Sequence, residues 1–140
     1  MRFNECIDKG LIKNDPLAVE RVESSLKTAQ RFLRSAKRNL EIDEHEMAEI
    51  AAYNCAFHSA RALLFAKGYI ERSHYCLGVA LRCVYSGQIV GLLNIFDKIR
   101  LSRHNVQYGG ELVDKEEAAF VIKFAEDFLL TAKAELLKVG

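Results

Sequence analysis

Apolar residues return every three or four positions through most of the chain, and no alternation of apolar and polar residues persists for any length. That period lines one face of an α-helix, so the pattern predicts an all-α protein. In the first predicted helix the apolar positions are Val22, Leu26, Ala29, Leu33, Ala36 and Leu40. Asp15 is placed to cap this helix, with Pro16 at the first helical position, where a missing N–H would be unpaired anyway; the helix is expected over 16–41, after an irregular start. A second helix carries Ile50, Tyr53, Phe57, Ala60 and Leu64 along one stripe and stops at Gly68. Its many alanines, Ala48, Ala51, Ala52, Ala56, Ala62 and Ala66 among them, let neighbours approach closely and mark it as the central helix. Ser73 offers an N-cap for a shorter helix over 74–86, ended by Gly87. The next helix runs from Gln88 to the Gly109–Gly110 pair. The last is opened by Asp114, with Glu117 three residues on, and buries Ala118, Val121, Ala125, Phe128 and Ala132.

Short connections between long helices predict antiparallel neighbours, hence an up-and-down bundle of four long helices plus one short helix. A chain of 140 residues, 50% of them apolar, suits a single domain over 1–140 with a core of its own. Twenty basic and nineteen acidic side chains leave a net charge of +1, which excludes a protein that coats nucleic acid through bulk charge. Any contact with nucleotide or RNA must be local. Cys6, Cys55, Cys76 and Cys83 form neither a CxxC pair nor a zinc-type spacing, so they are expected as reduced packing thiols. With no apolar signal core and no run long enough to span a bilayer, the expectation is a cytoplasmic protein without membrane contact.

One residue breaks the period. On the helix that starts near Gln88 the buried stripe reads Leu92, Phe96, Ile99, Arg103, Val106, so an arginine stands where a hydrophobe is due. A guanidinium does not lose its proton at ordinary pH, and burying it alone is costly. Either the helix frays and Arg103 snorkels to water, or Arg103 is paired, or it faces a cleft or a subunit interface. Arg100 and His104 lie four apart on a neighbouring face, which also fits an ordinary exposed helix end.

Three stretches together resemble the HEPN (higher eukaryotes and prokaryotes nucleotide-binding) domain family, in particular its small prokaryotic members associated with minimal nucleotidyltransferases. "YNCAFHSARALLFAKGYIERSH" (53–74) is similar to the family's alanine- and aromatic-rich second helix with its glycine stop. "RHNVQYGG" (103–110) resembles its arginine motif, and "DKEEAAFVIKFAEDFLLTA" (114–132) its last helix. In active members the motif is an arginine, a polar residue and, after four to six intervening positions, a histidine; two motifs meet across a homodimer and cleave RNA without metal. Arg103 matches the motif arginine and His104 the polar residue after it, while the position of the histidine holds Tyr108. A phenol ordinarily titrates at about 10, too high for a general base near neutrality, yet it can donate a hydrogen bond to phosphate. A relative of the motif has histidine, one spacer and then a tyrosine that the partner adenylylates; Val106 stands in place of that histidine here.

The resemblance implies Arg100, Arg103 and Tyr108 as ligands of a nucleotide or RNA phosphate, Arg103 and His104 as the catalytic candidates, and Tyr108 as the candidate for modification. It implies a homodimer and a minimal nucleotidyltransferase as partners, in a toxin-antitoxin-like or defence module. An active metal-independent endoribonuclease and a non-catalytic dimeric interaction module are the alternatives. Which nucleotide or RNA is bound stays open. His58, Arg61, Arg72 and His74 are read as basic groups around one rim, mostly solvated, and Tyr53 and Phe57 as core aromatics. Glu44, His45, Glu46 and Glu49 sit at a helix beginning, where acids suit the dipole, and no second cluster completes a ligand set. Neither a metal nor another cofactor is expected.

Overall fold

A computed structural model of the chain describes residues 2–138; Met1, Val139 and Gly140, the ends of the domain expected over 1–140, lie outside the described residues. The order of elements is α1 (Phe3–Asp8), β1 (Ile12–Asn14), a 3₁₀ turn (Pro16–Arg21), α2 (Val22–Glu41), α3 (His45–Ala66), β2 (Tyr69–Glu71), α4 (His74–Val84), α5 (Gln88–Gly109) and α6 (Lys115–Leu137). The long helices α2, α3, α5 and α6 form the bundle, and α4 is the short addition. Contacts along their lengths set the directions. Ser25 on α2 donates to the carbonyl of His58 on α3, and Lys37 on α2 reaches Glu126 on α6, 2.7 Å away, while Lys133 returns to Gln30. Tyr53 on α3 stacks on Phe96 of α5, while Glu49, one turn earlier on α3, meets Ser102 further along α5. Successive long helices therefore run up and down.

α3 is the central helix, as its alanines predict. It is buried on nearly every side, and its small residues Ala48, Ala52, Ala56 and Ala60 are fully enclosed. Around it close Leu33 and Ala36 of α2, Leu93 and Phe96 of α5, and Ala125, Phe128 and Leu129 of α6. The caps hold at two helix starts: Ser73 accepts from the Cys76 N–H and Asp114 from the Glu117 N–H, at 3.1 and 2.8 Å. Gly110 closes α5 in the left-handed region, where its φ of 72° needs a residue without a Cβ.

Four expectations need correction. The irregular start contains the helix α1 and the strand β1, and β1 pairs antiparallel with β2, Lys13 opposite Ile70. Three residues on each strand are too few for a period-two pattern to be visible. The first long helix does not begin at 16: Asp15 caps Leu17, but Pro16–Arg21 is a 3₁₀ turn, held where the Asp15 N–H donates to the Gly68 carbonyl at 2.7 Å. The third predicted helix ends at Val84, and Gly87 instead precedes α5 with a φ of 70°. Finally, Cys6 of α1 and Cys76 of α4 form a disulfide, whereas Cys55 is a buried thiol and Cys83 an exposed one. Seventy residues separate the bridged pair, so no local spacing announces it. No helix among the described residues is long and apolar enough to cross a membrane.

Candidate phosphate-binding site

Three helices meet where the period of α5 breaks. Arg100, Leu101, Arg103 and His104 on α5 and His74, the first residue of α4, line a cleft of about 330 Å³. Behind that lining packs α3. Tyr53 is fully buried and Phe57 nearly so, and the Arg103 guanidinium carbon lies 4.5 Å from the centroid of the Tyr53 ring. A cation over an aromatic face is attracted by the ring quadrupole, which is how an arginine occupies a core register without a carboxylate. Arg103 also donates from Nη1 to Gln107 Oε1 at 3.0 Å, one turn on.

Neither arginine is neutralised. Among the described residues no carboxylate lies within ion-pair distance of Arg100 or Arg103. The Nε atom of each is buried without a hydrogen-bond partner. Asp97, three and six residues away on α5, is engaged by Arg82 of α4 at 2.8 Å. Arg61, on the same side of α3, is by contrast satisfied by Glu71 at 2.8 Å, so it adds less free charge.

His74 completes the wall. Its ring stacks on Phe57 with centroids 4.2 Å apart, and its Nδ1 lies 2.6 Å from Tyr53 Oη. Burial, and after it the charges of Arg103, Arg100 and Arg61, hold its pKa down at about 4. Burial raises the pKa of Tyr53, against the opposing pull of Arg103. Both groups are therefore neutral near pH 7. His58, next to Phe57, stacks on Phe32 and is likewise shifted down, by burial first and by Arg61 second.

The arrangement brings together Arg100, Arg103 and His104, but not Tyr108. The Tyr108 ring is 67% exposed and lies 5.0 Å from the His104 ring, outside the cleft lining. It does not close the helix end as a buried group. Of the residues read as core or solvated rim, Tyr53 and Phe57 are core, packed against Arg103 and His74 respectively, and His74 is half-buried in the cleft wall. The acids read as a helix beginning also separate. Glu46 accepts from the Val113 N–H at 3.2 Å, while Glu49 is fully buried. No three His, Cys, Asp or Glu side chains among the described residues stand together as a metal-ligand set.

A family model of the HEPN domain matches residues 22–135, which covers α2, α3 and α5, nearly all of α6, and both arginines. The chain belongs to the HEPN domain family. No curated protein matches it. Membership supports a nucleotide- or RNA-related function at the level of the family. In this HEPN domain the cleft sets Arg100 and Arg103, neither with a carboxylate partner among the described residues, beside His74 and His104.

Proposed function

We propose that this HEPN domain binds the phosphate of a nucleotide or of RNA in the cleft of Arg100 and Arg103, with little or no hydrolysis of its own. The observation that carries the reading is the pair of guanidiniums in one cleft without a carboxylate for either. Guanidiniums match phosphate oxygens in geometry and charge, and an anion would neutralise two charges that no carboxylate meets. The catalytic half of the motif is weaker, since the position due to histidine holds Tyr108, outside the cleft.

The proposal includes a homodimer and a minimal nucleotidyltransferase as partners, in a toxin-antitoxin-like or defence module. The exposed side chains of Leu101, in the cleft lining, and Tyr108, outside it on the same face of α5, favour a second copy there. The nucleotidyltransferase rests on the resemblance of the motif. Tyr108 is accessible to such a partner: its phenolic oxygen would attack the α-phosphorus of ATP, losing its proton, with pyrophosphate leaving.

One observation favours a second reading. His104 lines the same cleft as Arg103, so it could take the 2′-hydroxyl proton of RNA while arginine stabilises charge on the phosphate. Purified protein incubated with mixed cellular RNA in chelator, alongside Arg103→Ala and His104→Ala, separates the two. RNA binding that needs Arg103, without cutting, supports the first. Cutting abolished in both variants establishes the second. Neither binding nor cutting overturns both and leaves a dimeric interaction module.

A further inference from the structure

The Tyr53–His74 contact determines which ring nitrogen of His74 carries the proton. Tyr53 is fully buried, so its hydroxyl hydrogen needs an acceptor. Arg100 and Arg103 beside it are donors alone. The acceptor at hand is His74 Nδ1, 2.6 Å away. A neutral imidazole has one N–H, and placing it on Nδ1 would leave the phenolic hydrogen buried and unpaired, which costs more than a hydrogen bond contributes. Tyr53 therefore donates, and the ring proton sits on Nε2.

Nε2 is then the one polar atom that His74 has left for the cleft it lines. Stacking on Phe57, with centroids 4.2 Å apart, and the Tyr53 contact at Nδ1 hold the ring in place. We propose that His74 Nε2–H is a third ligand of the phosphate held by Arg100 and Arg103, a hydrogen-bond donor of fixed tautomer supplied by the start of α4. This rests on the phosphate-binding reading of the cleft and adds to it a residue that lies outside the arginine motif. Because Nε2 carries the proton, His74 is a ligand here and not a base. Tyr53 is a positioning residue that acts through His74.

The test has two independent readouts. Nitrogen-15 spectra of the ligand-free protein report the tautomer: Nε2–H is expected for His74, and Tyr53→Phe, which removes the donor while keeping the ring, should yield a mixture. Titration with inorganic phosphate reports the role. Glutamine places its amide N–H where Nε2 stands and asparagine where Nδ1 stands, so His74→Gln should bind within about threefold of the parent. His74→Asn and His74→Ala should each lose about tenfold or more, the scale of a hydrogen bond to a charged group.

Circular dichroism confirms that each variant folds. An Nδ1–H tautomer, or phosphate affinity that depends on the arginines but is unchanged in His74→Ala, overturns the role of His74 alone. Unchanged affinity in both Arg100→Ala and Arg103→Ala overturns the reading of the cleft and the role of His74 with it.

Discussion

Glu49 is a carboxyl with no exposed surface, on the side of α3 that faces the second half of α5 and the first turns of α6. Its Oε2 lies 3.5 Å from the Ser102 hydroxyl, and the Glu117 carboxyl stands within hydrogen-bonding reach of it. Burial first, and then the charge of Glu117, raises its pKa from the ordinary 4.5 to about 7. A carboxyl raised on folding acts opposite to the usual salt-bridged one: between 4.5 and 7 the folded chain binds more protons than the unfolded chain, so stability falls as pH rises. The full contribution is present below 4.5 and has been lost above about 7. About two and a half decades of proton affinity, at 1.36 kcal/mol per decade, amount to roughly 3 kcal/mol.

Glu49→Gln removes the titration and keeps the shape. Urea unfolding followed by circular dichroism at pH 5, 6, 7 and 8 should show the variant gaining on the parent by about 2–3 kcal/mol from the lowest pH to the highest. His58 and His74, shifted down on folding, make stability rise with pH below 6.5, the opposite sign. They are present in both proteins, so the difference between the two curves cancels them. A difference that is flat across this range, or that falls as pH rises, would refute the assignment of Glu49 as a protonated buried acid.

Three further outcomes are expected. Reducing the Cys6–Cys76 bridge opens a loop of 70 residues and should lower stability by about 4 kcal/mol on the chain-entropy account, read from urea midpoints with and without reductant. Iodoacetamide should alkylate Cys83 in the folded protein and leave Cys55 untouched until unfolding, since Cys55 is buried and its thiol is pushed up to about 12; mass spectrometry of digests reads both sites. Arg103→Lys should weaken phosphate binding by about tenfold despite keeping the charge, because an ammonium neither spreads over the Tyr53 ring nor offers a planar fork; calorimetric titration with inorganic phosphate reads the loss.

Local pattern alone determined much of this HEPN domain. The helix period is set by residues three and four apart, so the four long helices, the alanine-rich centre and the caps at Ser73 and Asp114 were legible without the fold. The same period exposed Arg103 as an anomaly, and Arg103 lines the cleft. What answers the anomaly came from other elements. Tyr53 lies under Arg103 from α3, and His74 reaches Tyr53 across 21 residues that include a glycine stop, a strand and a capping turn. Neither partner stands at a spacing that carries chemistry, so Tyr53 read as core and His74 as rim. Glu49 read as a first-turn acid for the same reason: its burial is decided by α5 and α6 closing over it. The Cys6–Cys76 bridge and the β1–β2 pair likewise join distant segments. Periodicity reports which face of a helix is buried; which side chain of another element it is buried against is decided only when the helices pack.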